Sequence, residues 1–454
     1  MSNNTKTNLI GAGYALTFGL ITSLFFLWAW PNTLNDVLIK QFQKSLELSL
    51  TQTGFLPFAL KCGYFCFSIP AGLFMQRRGY KTGILFGLCL FAAGCLLFYP
   101  AASSRQYAVF LGAIFVMAGG ASFLEIGANS FIVSLGDKST SERRLNLAQS
   151  FNPLGGIAAA ACGTLFIFSG IEPSATEIAG MKQAGTYDAF LANENMRVFP
   201  TYLALAIVAV TIAFFIWKAK FPKIETEKAD TKGEKGSFKA LLKFPHWWGA
   251  IISQFFYLGA QLGTWSYLIT YIQQNSNMTE KQAGAFLTAN MVIFMLGRFF
   301  STWLMKYVKP TRLMCVYAVI NICLVLTAIA GSQWGYDHLG IGLHDVTMTI
   351  PFTGIQSPVC IIALISTTFF MSLMYPTNFA SGVKGLGVHA KLGASVLVMS
   401  LIGGAILSFV IGRVADTSWA GGQIAAGFVV LLVSYCVIYW YGLKGSRPRG
   451  PVDL

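Results

Sequence analysis

The chain has 454 residues, 55% of them hydrophobic and only 11% charged, with a formal net charge of +14. Soluble domains carry about 25% charged and about 45–50% apolar residues, so a water-soluble globular protein is excluded. The positive-inside rule of membrane proteins explains the charge better than nucleic-acid binding does.

Apolar runs of the length a bilayer demands, about 20 residues, recur along almost the whole chain. They predict an all-α polytopic membrane protein with twelve transmembrane helices, at 12–38, 52–75, 81–100, 107–134, 144–170, 198–220, 247–274, 282–306, 311–330, 357–384, 392–414 and 423–443. Met1–Asn8 is short and polar and leads straight into the first span, so no cleavable signal peptide is expected. The charged stretch Phe221–Lys243 divides the helices six and six. The expected organisation is an N-terminal half (1–220), a flexible cytoplasmic linker (221–245) and a C-terminal half (246–454). The nine cysteines fall in apolar segments without a metal-type Cys-x-x-Cys pair, so they read as small core residues.

With the N-terminus inside, the cytoplasmic loops hold Arg77, Arg78, Lys81, Lys138, Arg143, Arg144, the linker lysines, Lys306, Lys309, Arg312, Lys384, Lys391, Lys444, Arg447 and Arg449. The outer loops hold Lys40, Lys44, Arg105, Lys182, Arg197 and Lys281. This asymmetry predicts both termini in the cytoplasm. The longest outer loops, 171–197 and 331–356, carry acids such as Glu172, Glu177, Asp188, Glu194, Asp337 and Asp345.

The halves repeat weakly. Gly72 and Arg77-Arg78-Gly79 close the second helix, and Gly297-Arg298 followed by Lys306 and Lys309-Pro310 stand at the matching place after the eighth. Leu154-Gly155-Gly156 in the fifth helix answers Ile402-Gly403-Gly404 in the eleventh. Two related six-helix halves are the signature of a secondary transporter with a midplane site.

Of the eighteen acidic residues, only Asp36 and Glu125 fall within the predicted spans. A carboxylate at bilayer depth costs a few kcal/mol at least and by default marks function. Glu125 sits among Gly119, Gly120, Ala121, Gly127 and Ala128, which let helices approach closely, with the amide of Asn129 one turn on. It is either neutral in some states or partnered. Helix glue is the bland alternative. Asp36 follows Trp28, Pro31, Asn32, Thr33 and Asn35 in a helix that turns from apolar to polar. A surface pair with Lys40, four residues on, is its bland alternative. Burial disfavours the charged form of a carboxyl, which assigns the main proton-coupling role to the deeper Glu125 and a supporting one to Asp36.

Asn146, Gln149 and Asn152 recur every third residue and stripe one face of the fifth helix with amides. Gln254, Tyr257, Gln261, Trp265 and Tyr267 continue the theme on the seventh, Asn290 on the eighth, and Tyr375, Thr377 and Asn378 on the tenth. Amides and carboxyls bond sugar hydroxyls while rings such as Trp28 and Trp265 receive the sugar's C–H faces. Single amides read equally as interhelical glue and single Trp residues as belt residues. Lys61 and Arg298 read as snorkelling or loop-motif charges.

Several separated motifs are familiar: Phe25-Phe26-Leu27-Trp28-Ala29, Leu34-Asn35-Asp36, Leu124-Glu125, Ala128-Asn129, Arg144 to Gln149, Phe151-Asn152, Trp265-Ser266-Tyr267-Leu268, Gly297-Arg298-Phe299 and Tyr375-Pro376-Thr377. Together they resemble the fucose–galactose–glucose:proton symporters of the major facilitator superfamily, over nearly the whole chain. The resemblance implies a twelve-helix fold, alternating access, a bacterial inner-membrane location and uptake of a monosaccharide (a hexose or deoxyhexose) with a proton. It matches Asp36 and Glu125 to acids essential for coupling, and Gln149, Asn152 and Trp265 to the lining of a central cavity. Thr33 stands where the family pattern has Asn, Ser130 where it has Pro, and Trp30-Pro31 where it has small residues, which leaves the sugar open.

The expected partners are a monosaccharide, the proton as coupling ion and the lipid bilayer, with no cofactor, no metal and no nucleic acid, in a monomer. A uniporter or proton-driven exporter of the same fold, or a non-transporting sugar sensor, are the competing readings. A membrane enzyme would need a catalytic cluster, and His246, His338, His344 and His389 all fall near loops, away from the two acids.

Overall fold

In lipid a backbone polar group has no water to bond, so each apolar run must satisfy its own N–H and C=O groups, and a helix does this within one segment. The structure, a computed structural model, describes residues 14–48, 52, 55–167, 169, 173–222, 236–278, 280–341, 343, 346–349 and 356–447. The side chains of Asp36 and Lys40 lie outside the described residues, as do Glu172, Lys223, Lys228, Lys232, Lys235, His344, Asp345 and Arg449.

Ten stretches are long and apolar enough to cross a membrane. One of them, Phe55–Ser104, has 50 residues, about twice a bilayer's requirement. It holds the second and third spans, because Gly79 at φ 82° breaks the helix between them. That conformation is open to glycine and costly for other residues. The seventh span, Pro245–Asn275, is 31 residues long but too polar to stand among the ten. With it and the split at Gly79, the described residues contain twelve spans, in an all-α polytopic membrane fold.

Several boundaries differ from the sequence expectation. The first span runs from Ala15 to Ser45, straight through Pro31, so position 36 lies more than two turns inside the helix. The fifth was expected as one helix over 144–170. It is broken into Ser141–Gln149 and Asn152–Cys162. The tenth is likewise broken into Val359–Met371 and Met374–Val383. Each break lies just before a proline, Pro153 or Pro376, which has no N–H to give the carbonyl four residues earlier. The expected outer loop 171–197 contains the helices Ala175–Gln183 and Tyr187–Met196. A capping box of Ser174 and Glu177 starts the first of them. The other outer loop adds a ribbon of Thr347–Thr349 paired antiparallel with Gln356–Pro358.

Contacts sort the chain into two compact units, Met1–Leu135 with Phe151–Lys235, and Gly136–Ser150 with Gly236–Leu454. In the first, the second and third spans pack along the fourth, Tyr107–Ser134. Glycines set this closeness: a Cβ on Gly119 would meet the Phe67 ring at 2.7 Å, and one on Gly120 would strike the Phe91 backbone. The later half of the fifth span packs on the first, with Gly155 against the Phe26 carbonyl. At the outer end, Lys44 pairs with buried Glu194 at 2.9 Å, Gln41 donates to the Glu194 carbonyl at 2.8 Å, and Ser45 bonds Asn195 at 3.0 Å. These bonds fasten the helix Tyr187–Met196 to the end of the first span.

In the second unit, the seventh span packs on the eleventh, which runs over Ala390–Met399 and Gly403–Ala415. Gly403 meets the Phe255 carbonyl there as Gly155 meets Phe26 in the first unit. The two glycine pairs read as a repeat thus perform the same packing, each against the span that begins its own half. The ninth span, Pro310–Ala330, lies against the tenth and against the twelfth, Val429–Trp440. The segment Ser141–Gln149 packs with the tenth and eighth spans, the latter being Glu280–Leu304.

Candidate functional site

The first unit gathers polar residues from three spans. Glu125, 6% exposed, lies on the fourth span among the glycines that draw the second and third spans in. From the second span, buried Tyr64 lies near Glu125 and near Asn32 of the first, its hydroxyl making no hydrogen bond to the described residues. Lys61, one turn earlier than Tyr64, donates to Asn32 Oδ1 at 3.4 Å, and its Nζ lies 6.0 Å from the Tyr64 ring. The other end of the Asn32 amide donates to the Trp28 carbonyl at 3.3 Å. Lys61 is therefore no snorkelling charge. Its ammonium is turned toward Asn32 of the first span. Sequence reasoning missed Tyr64 altogether. The available signal was the cation at position 61 inside an apolar run, with a phenol three residues on, on the same helical face.

The remaining candidates of this unit stand nearby. Trp28 is buried against Phe25 with ring centroids 4.4 Å apart. Asn35 is buried, and its Oδ1 accepts no hydrogen bond from the described residues. Thr33 is half-buried, and Gly156 leaves room for its hydroxyl: a Cβ there would lie 3.1 Å from Thr33 Oγ1. Asn129 is fully buried one turn beyond Glu125. Asn152 donates to the Phe25 carbonyl at 3.0 Å.

The three amides of the fifth span bond separately, and the helix ladder lapses between Gln149 and Asn152 at Ser150 and Phe151, whose dihedrals stay helical. Asn146 belongs to the second unit, donating to the Glu142 carbonyl at 2.9 Å and to Thr377 Oγ1 at 3.3 Å. That is the bonding of helix glue. Gln149, also in the second unit, meets Arg298 at both its backbone carbonyl and its Oε1. Asn152 bonds within the first unit.

Within the second unit, the seventh, eighth and tenth spans form a connected aromatic and polar set. The Trp265 ring stands edge-on to Phe294 at 5.2 Å, and the Arg298 guanidinium lies 4.5 Å from the same Phe294 ring. Tyr257 and Tyr375 lie beside Arg298 and 6.2 Å from each other, ring to ring. Asn290 is one turn before Phe294, Asn378 follows Tyr375 on the tenth span, and Gln261 is half-buried one turn before Trp265. Both amide atoms of Gln254, Asn290 and Asn378, and Trp265 Nε1, are buried without a hydrogen bond to the described residues. Buried polar atoms are bonded in the great majority of cases. So many open donors and acceptors beside aromatic rings suit a guest that is itself rich in hydroxyls.

The loop-motif residues separate. Gly79 makes the reversal between the second and third spans, with Gly72 buried and Arg77 and Arg78 exposed. Gly297 and Arg298 are not turn residues. Both are buried inside the eighth span, and a Cβ on Gly297 would strike the Phe369 carbonyl of the tenth. The turn itself comes later, at Lys306 to Lys309. Among the described residues no three His, Cys, Asp or Glu side chains group as metal ligands. His246 bonds the Lys384 carbonyl and His389 accepts from the Ser237 N–H.

Comparison with known proteins agrees with this architecture. The sequence profile of the Major Facilitator Superfamily matches residues 9–343. The L-fucose-proton symporter of Escherichia coli K12 is 36% identical over 440 residues, covering 96% of this chain and 94% of that protein. A glucose/galactose transporter of Brucella abortus is 32% identical over 440 residues, 96% of this chain and 95% of its own. A crystal structure of the E. coli fucose:proton symporter superimposes with a TM-score of 0.81 at 35% identity, over 96% of this chain and 99% of that one. The chain belongs to the Major Facilitator Superfamily, a family of transporters rather than enzymes.

Proposed function

We propose that this protein is a symporter that imports a monosaccharide together with a proton by alternating access. The observation that carries the reading is the carboxyl of Glu125 buried on the fourth span, with Tyr64 of the second span beside it. A carboxyl buried inside a membrane protein is costly when charged and by default marks function, which suits a group that takes up and releases the coupling proton. The names of the relatives, L-fucose-proton symporter and glucose/galactose transporter, support the same chemistry and set the substrate class as a hexose or deoxyhexose.

In this reading Glu125 carries the coupling proton and Asp36 assists it. Trp28, Asn32, Thr33, Asn35, Asn129 and Asn152 of the first unit meet the sugar. Asn146, Gln149, Gln261, Trp265, Asn290, Tyr375 and Asn378 of the second do the same, although Asn146 already bonds Thr377. The halves 1–220 and 246–454 alternate about the linker 221–245. The protein is a monomer in a bacterial cytoplasmic membrane with both termini inside, as the loop charges favour.

The test uses purified protein in liposomes. Glu125→Gln keeps the shape and hydrogen bonding of a protonated Glu. It should exchange sugar in counterflow and yet fail to concentrate sugar when a pH gradient is imposed. A protonophore should abolish accumulation by the wild type. Accumulation by Glu125→Gln with the wild-type pH dependence refutes the coupling role, and accumulation indifferent to the protonophore refutes symport.

A further inference from the structure

Arg298 is a buried cation that the transport reading leaves without a task. It is 3% exposed and lies within the eighth span, and no carboxylate of the described residues is within ion-pair distance. A guanidinium at this depth is expensive and by default serves function. What neutralises it here is a set of dipoles. Nε donates to the Ser372 carbonyl at 2.9 Å, Nη1 donates to the Gln149 carbonyl at 2.7 Å, and Gln149 Oε1 lies 3.4 Å from the same nitrogen. The Phe294 face covers the plane, and the phenols of Tyr257 and Tyr375 stand beside it.

The identity of those two carbonyls is informative. In a helix, the carbonyl of residue i accepts the N–H of residue i+4. Four residues after Gln149 stands Pro153, and four residues after Ser372 stands Pro376. Neither proline has an N–H to give. Arg298 therefore donates to the two backbone acceptors that the prolines of the fifth and tenth spans leave without their helical donor. One fork-shaped side chain reaches both, since its donors diverge in a fixed plane, which an ammonium cannot imitate. Each stapled break also carries a side chain of the proposed sugar site: Gln149 at the first, Tyr375 just before Pro376 at the second.

We infer that Arg298 is a positioning residue for sugar transport. Its guanidinium supplies the donors missing at Pro153 and Pro376, and thereby fixes Gln149 and Tyr375 in the attitude in which sugar meets them. The inference rests on the sugar-site reading given above. Arg298 itself needs no contact with substrate.

The experiment is a double-mutant cycle on sugar counterflow in liposomes, with thermal unfolding in detergent as the folding control. A hydrogen bond from a positioned amide corresponds to about three- to tenfold in binding. Gln149→Ala should raise the half-saturating sugar concentration by that factor, and Arg298→Lys should do the same with an unchanged maximal exchange rate. Combined, they should be no worse than the worse single variant. If Gln149→Ala leaves sugar affinity unchanged, the sugar-site reading fails and this inference with it. If Gln149→Ala weakens binding but the two effects multiply, only the positioning role of Arg298 is overturned. Should Arg298→Lys not fold, Arg298→Met is made in a Pro153→Ala, Pro376→Ala background, where both carbonyls regain a backbone donor. Recovery of folded protein there, with sugar affinity still weakened, supports the assignment. Continued failure to fold, or recovery with wild-type affinity, overturns it.

Discussion

Gly155 and Gly156 are neighbours in the fifth span, and the structure predicts opposite outcomes for the same substitution at each. A Cβ added at Gly155 would fall inside the van der Waals shell of the Phe26 carbonyl oxygen and 3.0 Å from Ala29 Cβ. The oxygen is backbone, held within the first span, and cannot swing away. Restoring an ordinary contact distance requires the two spans to separate by about 1 Å along their contact. Overpacking of this kind costs about 1–3 kcal/mol. Replacing Gly by Ala within a helix recovers about 0.8–1 kcal/mol, which offsets only the low end of that range. Gly155→Ala should therefore lower the unfolding temperature in detergent. It should also weaken sugar counterflow, because Asn152 is bonded to the Phe25 carbonyl across the same contact. At Gly156 the nearest atom is Thr33 Oγ1, 3.1 Å from the built Cβ. That hydroxyl can rotate, so the helix gain decides the sign and Gly156→Ala should be neutral or slightly stabilising. Its effect should appear in sugar selectivity, through the displaced Thr33 hydroxyl, in a counterflow panel of hexoses and deoxyhexoses. An unfolding temperature for Gly155→Ala at or above wild type would show that the spans are not held at this glycine, and the packing argument would fail.

Lys61→Met removes the cation that donates to Asn32. The bond to Asn32 is long and the lysine half-buried, so the stability loss should be small, about 0.5–1.5 kcal/mol, with counterflow retained. Gradient-driven uptake should fall relative to counterflow, and an unchanged ratio of the two would place Lys61 outside the coupling machinery. For orientation, reporter tags at the N-terminus, within 221–243 and at the C-terminus should all be protected from the periplasmic side, and access to any one of them there contradicts the proposed topology.

How much the sequence disclosed depended on the kind of physics involved. Spans announced themselves through length and apolarity, because lipid punishes any other backbone, and the fourth span was read to its observed ends at Tyr107 and Ser134. Gly155 and Gly403 were legible as a repeat but not as packing; their shared role emerges only when each is seen against Phe26 or Phe255. The outer helices were hidden because short, polar, capped helices lack the apolar signal that reveals a span, even though Ser174 and Glu177 spell a capping box. The fifth span misled most. The interval of three among Asn146, Gln149 and Asn152 gives no sign that Pro153 removes a helix donor between them, or that Asn146 bonds Thr377 while Asn152 bonds the Phe25 carbonyl.

Arg298 shows why a charged residue is hard to place from its neighbours in sequence. Counting from the turn at Lys306, it stands about two turns into the helix, close enough for a long side chain to snorkel. What holds it inside is absent from its own segment. Two prolines on other spans each remove a helical donor from a carbonyl, and the second of them, Pro376, stands ten residues before Leu386-Gly387 as Glu125 stands ten before Leu135-Gly136 in the first half of the chain. Glu125 lies buried on the fourth span with Tyr64 of the second span beside it. On the tenth span the acid is replaced by a helix break, and the compensating group is a cation bonded to the exposed carbonyl. The halves therefore keep a common scaffold while dividing the chemistry. In the proposed mechanism protonation is concentrated on the fourth span, and the second unit presents fixed dipoles and aromatic faces around Arg298. A sugar binds to the latter kind of surface without any change in its charge, whereas the proton requires the former, and a coupled transporter needs both.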